Sequence, residues 1–249
     1  MKTSNNTILI TGGSAGIGFA IAKTLGANNK IIITGRDQQR LKAAAAKLPN
    51  TTAILGDVSD AKDVDKLVAT LNRDHKDLNI VINNAGKASG IYDLATEGID
   101  AFTRAGEEML TNYLSVIRLN ERLLPLLKKQ PEAAIVNVSS IVAIAPGGRL
   151  PSYSASKAAL HSYTISLRQA LSKTNVAVFE LYPPLVNTEF SAEIGGATNG
   201  IAPSVVADDL LKGLEQDTYD IRVGRTAELY QYYLANPQEA IKAMSAPQE

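Results

Sequence analysis

The sequence predicts a single α/β domain on a doubly wound parallel sheet of about seven strands, with helices on both faces. Three observations carry this reading. Short apolar runs alternate with helical stretches from one end of the chain to the other, most of those runs lack an in-out alternation, and Gly26, Pro49 and Gly86 punctuate the junctions. Alternating strands and helices call for parallel pairing through crossovers, and a strand apolar at every position belongs in a sheet covered on both sides.

In chain order the strand-like runs are Thr7–Thr11, Lys30–Thr34, Thr51–Leu55, Asn79–Asn83, Ala134–Val138, Val176–Tyr182 and Ile221–Val223. Between them Ile17–Leu25, Gln38–Leu48, Asp63–Leu71, Phe102–Lys128 and Tyr153–Leu171 read as helices, and Glu228 to Met244 as one more with a Tyr-rich apolar face. No repeat or long hydrophilic linker divides the 249 residues, so residues 1–249 are taken as one domain. The Gly/Ala/Asn-rich stretch Ser191–Pro203 is irregular, and residues 188–203 are a candidate substrate lid, the alternative being an exposed connection.

Composition narrows the function. Lys plus Arg balances Asp plus Glu at 25 each, so no basic excess exists to hold nucleic acid or an anionic membrane. A polar start, Met1 to Asn6, and the short apolar run after it fit neither a signal peptide nor a membrane span, which points to a cytoplasmic protein. Cysteine is absent and there are two histidines, which leaves no thiolate or multi-histidine metal site. His75 reads as a solvated loop residue and His161 as a packing or subunit contact.

Directly after the first strand comes Thr11-Gly12-Gly13-Ser14-Ala15-Gly16-Ile17-Gly18, and then a helix begins. Glycines there permit a tight turn and close approach to a pyrophosphate, while the helix N-terminus offers free N–H groups. A glycine-rich turn without a ligand is the bland alternative, but the flanking strand and helix favour a dinucleotide. The second strand ends Thr34-Gly35-Arg36, where dinucleotide sites that bind the adenosine ribose carry a carboxylate. Gly35 removes that carboxylate and Arg36 suits a 2′-phosphate, so NADP(H) is preferred with NAD(H) possible.

Tyr153 and Lys157, four apart at the start of a helix, share a face. A nearby cation is a direct way to stabilise a phenolate, whose ordinary value lies near 10. With the glycine pattern Thr11 to Gly18, with Asn83-Asn84-Ala85-Gly86 after the fourth strand, and with Ser140 thirteen residues before Tyr153, the chain resembles the short-chain dehydrogenase/reductase family, classical type, over nearly its whole length. The resemblance extends to Asn112 in the long fifth helix and Asp57-Val58 after the third strand.

The resemblance implies a Rossmann-like fold and an oxidoreductase that interconverts a carbonyl and an alcohol. Tyr153 would be the general acid/base, Lys157 would lower its pKa and hold the nicotinamide ribose, and Ser140 would bind the substrate oxygen. Asn112 would position a water linking Lys157 to solvent. Asp57 with Val58 would meet the adenine, and Asn83, Ala85 and Gly86 would frame the cofactor cleft. Gly12, Ser14, Gly16, Ile17 and Gly18 would cradle the phosphates, and Pro183, Val186 and Thr188 would hold the nicotinamide amide. Pro184 departs from the family's usual glycine and leaves the backbone contacts of that turn open.

Apolar Val142, Ile144, Pro146, Leu150, Leu185 and Phe190 are pocket candidates and suggest a neutral, partly hydrophobic small-molecule carbonyl or alcohol. In the resembling family the two long helices build a dimer interface, which implies a homodimer or homotetramer. Two other functions were weighed. An idle NADP(H)-binding sensor or scaffold has no chemical need of Ser140, Tyr153, Lys157 and Asn112, and an epimerase or lyase acting on a nucleotide sugar needs more chain after Val186 than remains.

Overall fold

A computed structural model describes residues 1–245. Seven strands, β1 (Thr7–Thr11), β2 (Lys30–Gly35), β3 (Thr51–Leu55), β4 (Leu78–Asn83), β5 (Ala133–Val138), β6 (Val176–Tyr182) and β7 (Asp220–Arg222), form one sheet in the order β3-β2-β1-β4-β5-β6-β7. Every pairing is parallel. The chain winds outward from β1 to β3, then returns to the other side of β1 and winds outward to β7. The direction therefore reverses between β1 and β4, where a crevice opens beyond the carboxyl ends of the strands.

Among the described residues ten α-helices complete the layers. They are α1 (Gly16–Leu25), α2 (Gln38–Ala45), α3 (Ala61–Asp74), α4 (Ala101–Met109), α5 (Ser115–Leu127), α6 (Pro151–Leu171), the single turn α7 (Gly196–Asn199), α8 (Pro203–Glu215), α9 (Arg225–Ala235) and α10 (Pro237–Ser245). Local chemistry sets several starts. The Asp37 carboxylate accepts from Arg40 N and that of Asp60 from Asp63 N, while α6 and α8 open on proline, whose missing N–H costs nothing in a first turn.

Successive residues of the central strands feed two different cores. Ile8 and Ile10 of β1, with Ile31 and Ile33 of β2, pack with Ile21 and Leu25 of α1 and Val206 and Leu210 of α8. Leu9, Ile32 and Val81 face the other way, toward Val64 and Leu67 of α3 and Leu119 and Leu123 of α5. Both faces being dry, the strands are apolar throughout, as the sequence predicts.

The helices depart from expectation in three places. The helix expected over Phe102–Lys128 is interrupted by a π-helical turn, Leu110–Leu114, which widens the backbone around Asn112. The helix expected over Glu228–Met244 is two, because Asn236 precedes Pro237 and proline disfavours helical geometry in the residue before it. Helix α8 was not anticipated, although Val206, Ala207, Leu210 and Leu214 all face the core at helical spacing.

Several polar groups buried between the layers pair with one another. Asn83 at the end of β4 donates to Asn120 Oδ1 at 2.9 Å and to Asn137 Oδ1 at 2.8 Å, and Asn137 donates to Thr164 Oγ1 at 2.9 Å. On the far side of α6, His161 Nδ1 lies 3.0 Å from the fully buried Glu180 carboxylate and 3.0 Å from the Tyr182 hydroxyl. The hydrogen bond with Glu180 raises the His161 imidazole above its ordinary value, against the opposing effect of burial. A histidine raised in the folded state contributes stability that is complete below its unfolded value near 6.5 and fades as pH rises through the folded one. His161→Gln should therefore melt well below wild type at about pH 5.5, with the gap narrowing by about pH 9, as followed by circular dichroism.

Candidate active site

The turn from β1 to α1 fits a phosphate. Gly12 has φ of +65°, and a Cβ there would lie 3.0 Å from Ala85 Cα. A Cβ on Gly18 would lie 2.5 Å from both Gly12 O and Asn84 Nδ2, so this glycine lets the helix start press against the turn. Asn84 ties the turn to the end of β4, donating to Thr11 O at 2.9 Å and Gly12 O at 3.2 Å. Thr11 Oγ1 in return accepts from Asn84 N and Ala85 N, both at 3.0 Å.

Beyond the strand ends lies one continuous cavity of about 960 Å³. Of the site residues expected from sequence, Gly12, Ser14, Gly16 and Ile17 line it from the cradle, Arg36 from the end of β2, and Asp57 with Val58 from the end of β3. Ala85 and Gly86 line it after β4, Ser140 after β5, Tyr153 and Lys157 from α6, and Pro183, Val186 and Thr188 after β6. Gly18, Asn83 and Asn112 stand behind this wall. Asn83 turns into the asparagine network between the layers and does not frame the cleft directly. Asn112 is fully buried, donating to Lys87 O at 2.8 Å and Ser156 Oγ at 2.9 Å and accepting from Lys87 N at 2.7 Å.

At the β2 end Arg36 is exposed, and among the described residues its side chain has no hydrogen-bonding or ionic partner. Asp37, its acidic neighbour, is occupied in capping α2. A Cβ on Gly35 would meet only ordinary contacts, the nearest at 3.5 Å from Ser14 Oγ, so a larger residue would fit there. A second guanidinium unmarked by the sequence reading, Arg40, also lines the cleft and pairs with Glu189 from the opposite wall. Nothing in the sequence sets Arg40 apart from the other charges of α2. Asp57 Oδ1 accepts from Ser59 N at 2.8 Å and Ser59 Oγ at 2.7 Å, which fixes the turn after β3.

At the other end three functional groups converge. Ser140 and Tyr153 line the same end of the cavity, and Ser140 Oγ accepts from Val142 N at 3.3 Å at the start of a short 3₁₀ turn, Ile141–Ala143. Its neighbour Ser139 also lines the cavity, but among the described residues its buried hydroxyl has no partner. Lys157 Nζ donates to Val138 O at 2.8 Å and lies 5.7 Å from the centre of the Tyr153 ring. Burial pushes the Tyr153 phenol above its ordinary value, the bond to Ser140 works against this, and the negative charge of Glu108 adds to it. Burial also lowers the Lys157 ammonium to about 8, with Glu180 opposing the change.

Residues 188–203 wall the cavity as a 3₁₀ turn, Glu189–Ile194, followed by α7 and a bridge between Val186 and Ile201. Phe190 places its ring 5.9 Å from that of Tyr153. Val142, Leu150, Leu185 and Phe190 line the pocket, whereas Ile144 and Pro146 do not. Arg149, Glu193, Arg225 and Glu228 line it as well and were not marked in the sequence, where nothing sets them apart from surface charges. Pro183 O accepts from Ile141 N at 3.0 Å, so the Pro183-Pro184 turn still joins β6 to the Ser140 segment. Among the described residues no group of three acidic or histidine side chains is placed to hold a metal ion, and no helix is long and apolar enough to cross a membrane.

A doubly wound sheet with a glycine cradle at its switch point and a serine, tyrosine and lysine at the far end of one cleft defines an α/β dinucleotide-binding class. The profile of the short chain dehydrogenase family matches residues 6–217. An uncharacterized oxidoreductase, DltE, of Bacillus subtilis is 39% identical over 226 residues, covering 89% of each chain. The NADP-dependent 3-hydroxy acid dehydrogenase of Schizosaccharomyces pombe is 33% identical over 201 residues, covering 76% of this chain and 75% of its own. Among solved structures, a short chain dehydrogenase from Burkholderia cenocepacia in complex with NADP superposes with a TM-score of 0.86 at 26% identity, over 99% of this chain and 100% of the other. The chain belongs to the short-chain dehydrogenase/reductase family, and it is an oxidoreductase of that family.

The packing of Gly18 yields a direct test. Gly18→Ala forces a methyl group against the Gly12 carbonyl, and overpacking of this kind costs about 1–3 kcal/mol. The variant should unfold at lower denaturant concentration and bind NADPH more weakly than wild type in a fluorescence titration.

Proposed function

We propose that this chain interconverts a carbonyl and an alcohol by hydride transfer with NADP(H), with Tyr153 as general acid/base. The observation that carries the reading is the meeting of Ser140, Tyr153 and buried Lys157 at one end of a cleft whose other end is a glycine cradle beside Arg36. When bound, the nicotinamide supplies or accepts the hydride. The hydroxyls of Ser140 and Tyr153 donate to the carbonyl oxygen, where negative charge develops. With its phenol raised, Tyr153 carries its proton at neutral pH and donates it only as the more basic alkoxide develops on the substrate oxygen. Lys157, lowered to about 8, exchanges its own proton near that pH and can pass one onward. Asn112 keeps the segment after Gly86 in place, and its Oδ1 retains a lone pair for the water the family resemblance implies.

Arg36 and Arg40 at the β2 end support NADP(H), since guanidinium groups match phosphate geometry and no carboxylate stands at position 35. The NADP-bound Burkholderia structure and the name of the fission-yeast relative agree with this. Exposed Leu114 and Ile165 support a homo-oligomer built through α5 and α6. As a family member with its reacting groups assembled, the chain has little in common with an idle sensor.

Turnover of a panel of ketones and aldehydes with NADPH tests the reaction. Tyr153→Phe should lower the single-turnover rate by roughly 10² to 10⁴ while NADPH still binds. A wild-type rate in that variant would remove Tyr153 from the mechanism. Lys157→Ala should weaken both turnover and cofactor binding.

Cofactor choice is a separate measurement. Arg36→Asp should raise the KM for NADPH about tenfold or more and leave that for NADH nearly unchanged, because a charge-assisted bond is lost and repulsion gained. A clear preference of the wild-type protein for NADH would overturn the assignment.

A further inference from the structure

Glu108, in the last turn of α4, is 1% exposed, and nothing in the proposed chemistry uses it. A carboxylate is costly to bury unless its oxygens are satisfied, so its partners are informative. Oε1 accepts from Ser89 N at 2.6 Å, and Oε2 accepts from Ser152 Oγ, which in turn accepts from the Tyr92 hydroxyl. Three segments thus meet at one side chain: the end of α4, the irregular stretch after β4, and the first turn of α6. The latter two border the cleft. Ile91 lines it between Ser89 and Tyr92, and Ser152 immediately precedes Tyr153.

The charged groups around Glu108 are engaged elsewhere. Arg104, one turn earlier on α4, donates to Ser89 O and to Ile99 O, with its guanidinium 5.2 Å from the Tyr92 ring. Glu107 pairs with Lys87 at 2.6 Å. Arg149 N–H and side chain form no bond with Glu108, and Arg149 O accepts from Tyr92 N at 3.1 Å. Glu193 lies beside Gly90, and the ionisable groups of α6 on this side are Tyr153 and Lys157. Among the described residues no cation forms an ion pair with Glu108. Its charge rests on hydrogen bonds and on the N-terminal end of α6, where the helix dipole favours an anion.

We propose that Glu108 is a positioning residue for the reaction: it locks the Ser89–Tyr92 wall of the cleft to the first turn of α6, the turn that carries Tyr153. The proposal rests on the reading of this cleft as the reacting site.

Glu108→Gln separates charge from shape. The amide oxygen still accepts from Ser89 N–H, and the Ser152 and Tyr92 hydroxyls can reverse so that Ser152 accepts from the amide. This variant should keep the wild-type Tm, Ser89 exchange rate and substrate KM. Glu108→Ala should leave Ser89 N–H without its acceptor, raising the hydrogen-exchange rate of that amide about tenfold or more and raising KM. If that variant does not fold, Glu108→Asp, one methylene too short for both contacts, serves for the same exchange measurement. An unchanged Ser89 exchange rate in the Ala or Asp variant, or a KM raised as far by Gln as by Ala, overturns the lock. Wild-type protein inert toward every carbonyl would instead refute the proposed reaction, with the exchange experiment still deciding the lock.

Discussion

The close approach of two chain segments at the carboxyl ends of β1 and β4 is the constraint on which the rest of the site depends. Gly12 and Ala85 can come together only because position 12 has no Cβ, and the contact is held by bonds from Asn84 to Thr11 O and Gly12 O and by Thr11 Oγ1. That stitch sits where the winding of the sheet reverses, so it sets the width of the crevice at its midpoint. On one side of it lie Arg36 and Asp57, and on the other Ser140, Tyr153 and Lys157. Loosening it would alter both ends at once.

Burial then sets the protons. Sequence spacing suggests a cation lowering a phenol, whereas the folded site desolvates both groups, raising Tyr153 and lowering Lys157. Desolvation penalises each charged form. The phenol therefore keeps its proton at neutral pH, and the lysine exchanges its own nearer to neutrality than a solvated lysine does.

Much of this was legible in the sequence. The seven strands, their parallel order and the glycine cradle follow from apolar runs and turn residues, because those signals are local. Ser140, Tyr153 and Lys157 could be named because their spacing, set on a short stretch of chain, matches the pattern of the family the chain resembles. What escaped depends on groups distant in sequence. Asn83 was expected at the cleft, but its partners Asn120 and Asn137 draw it between the layers. Glu108 looked like one acid among several on a helix, and only the fold brings Ser89 and Ser152 to it. The π turn at Leu110–Leu114 was equally hidden, since nothing in Leu-Thr-Asn-Tyr-Leu marks a widened helix.

The segment after β6 shows how the two ends of the cleft are kept in register. Thr188, Glu189 and Phe190 are consecutive, yet Thr188 lies over Gly16 of the cradle, Glu189 reaches Arg40 on α2, and Phe190 stacks near Tyr153. A 3₁₀ turn advances about 120° per residue, so three neighbours point in three directions. The turn is firmly made, with Thr188 and Ser191 forming a reciprocal cap at its start and Ser191 Oγ bonded to Val186 O. The glycine cradle, the β2 end and Tyr153 therefore all touch one short stretch of backbone, so a shift of that stretch would alter the three contacts together.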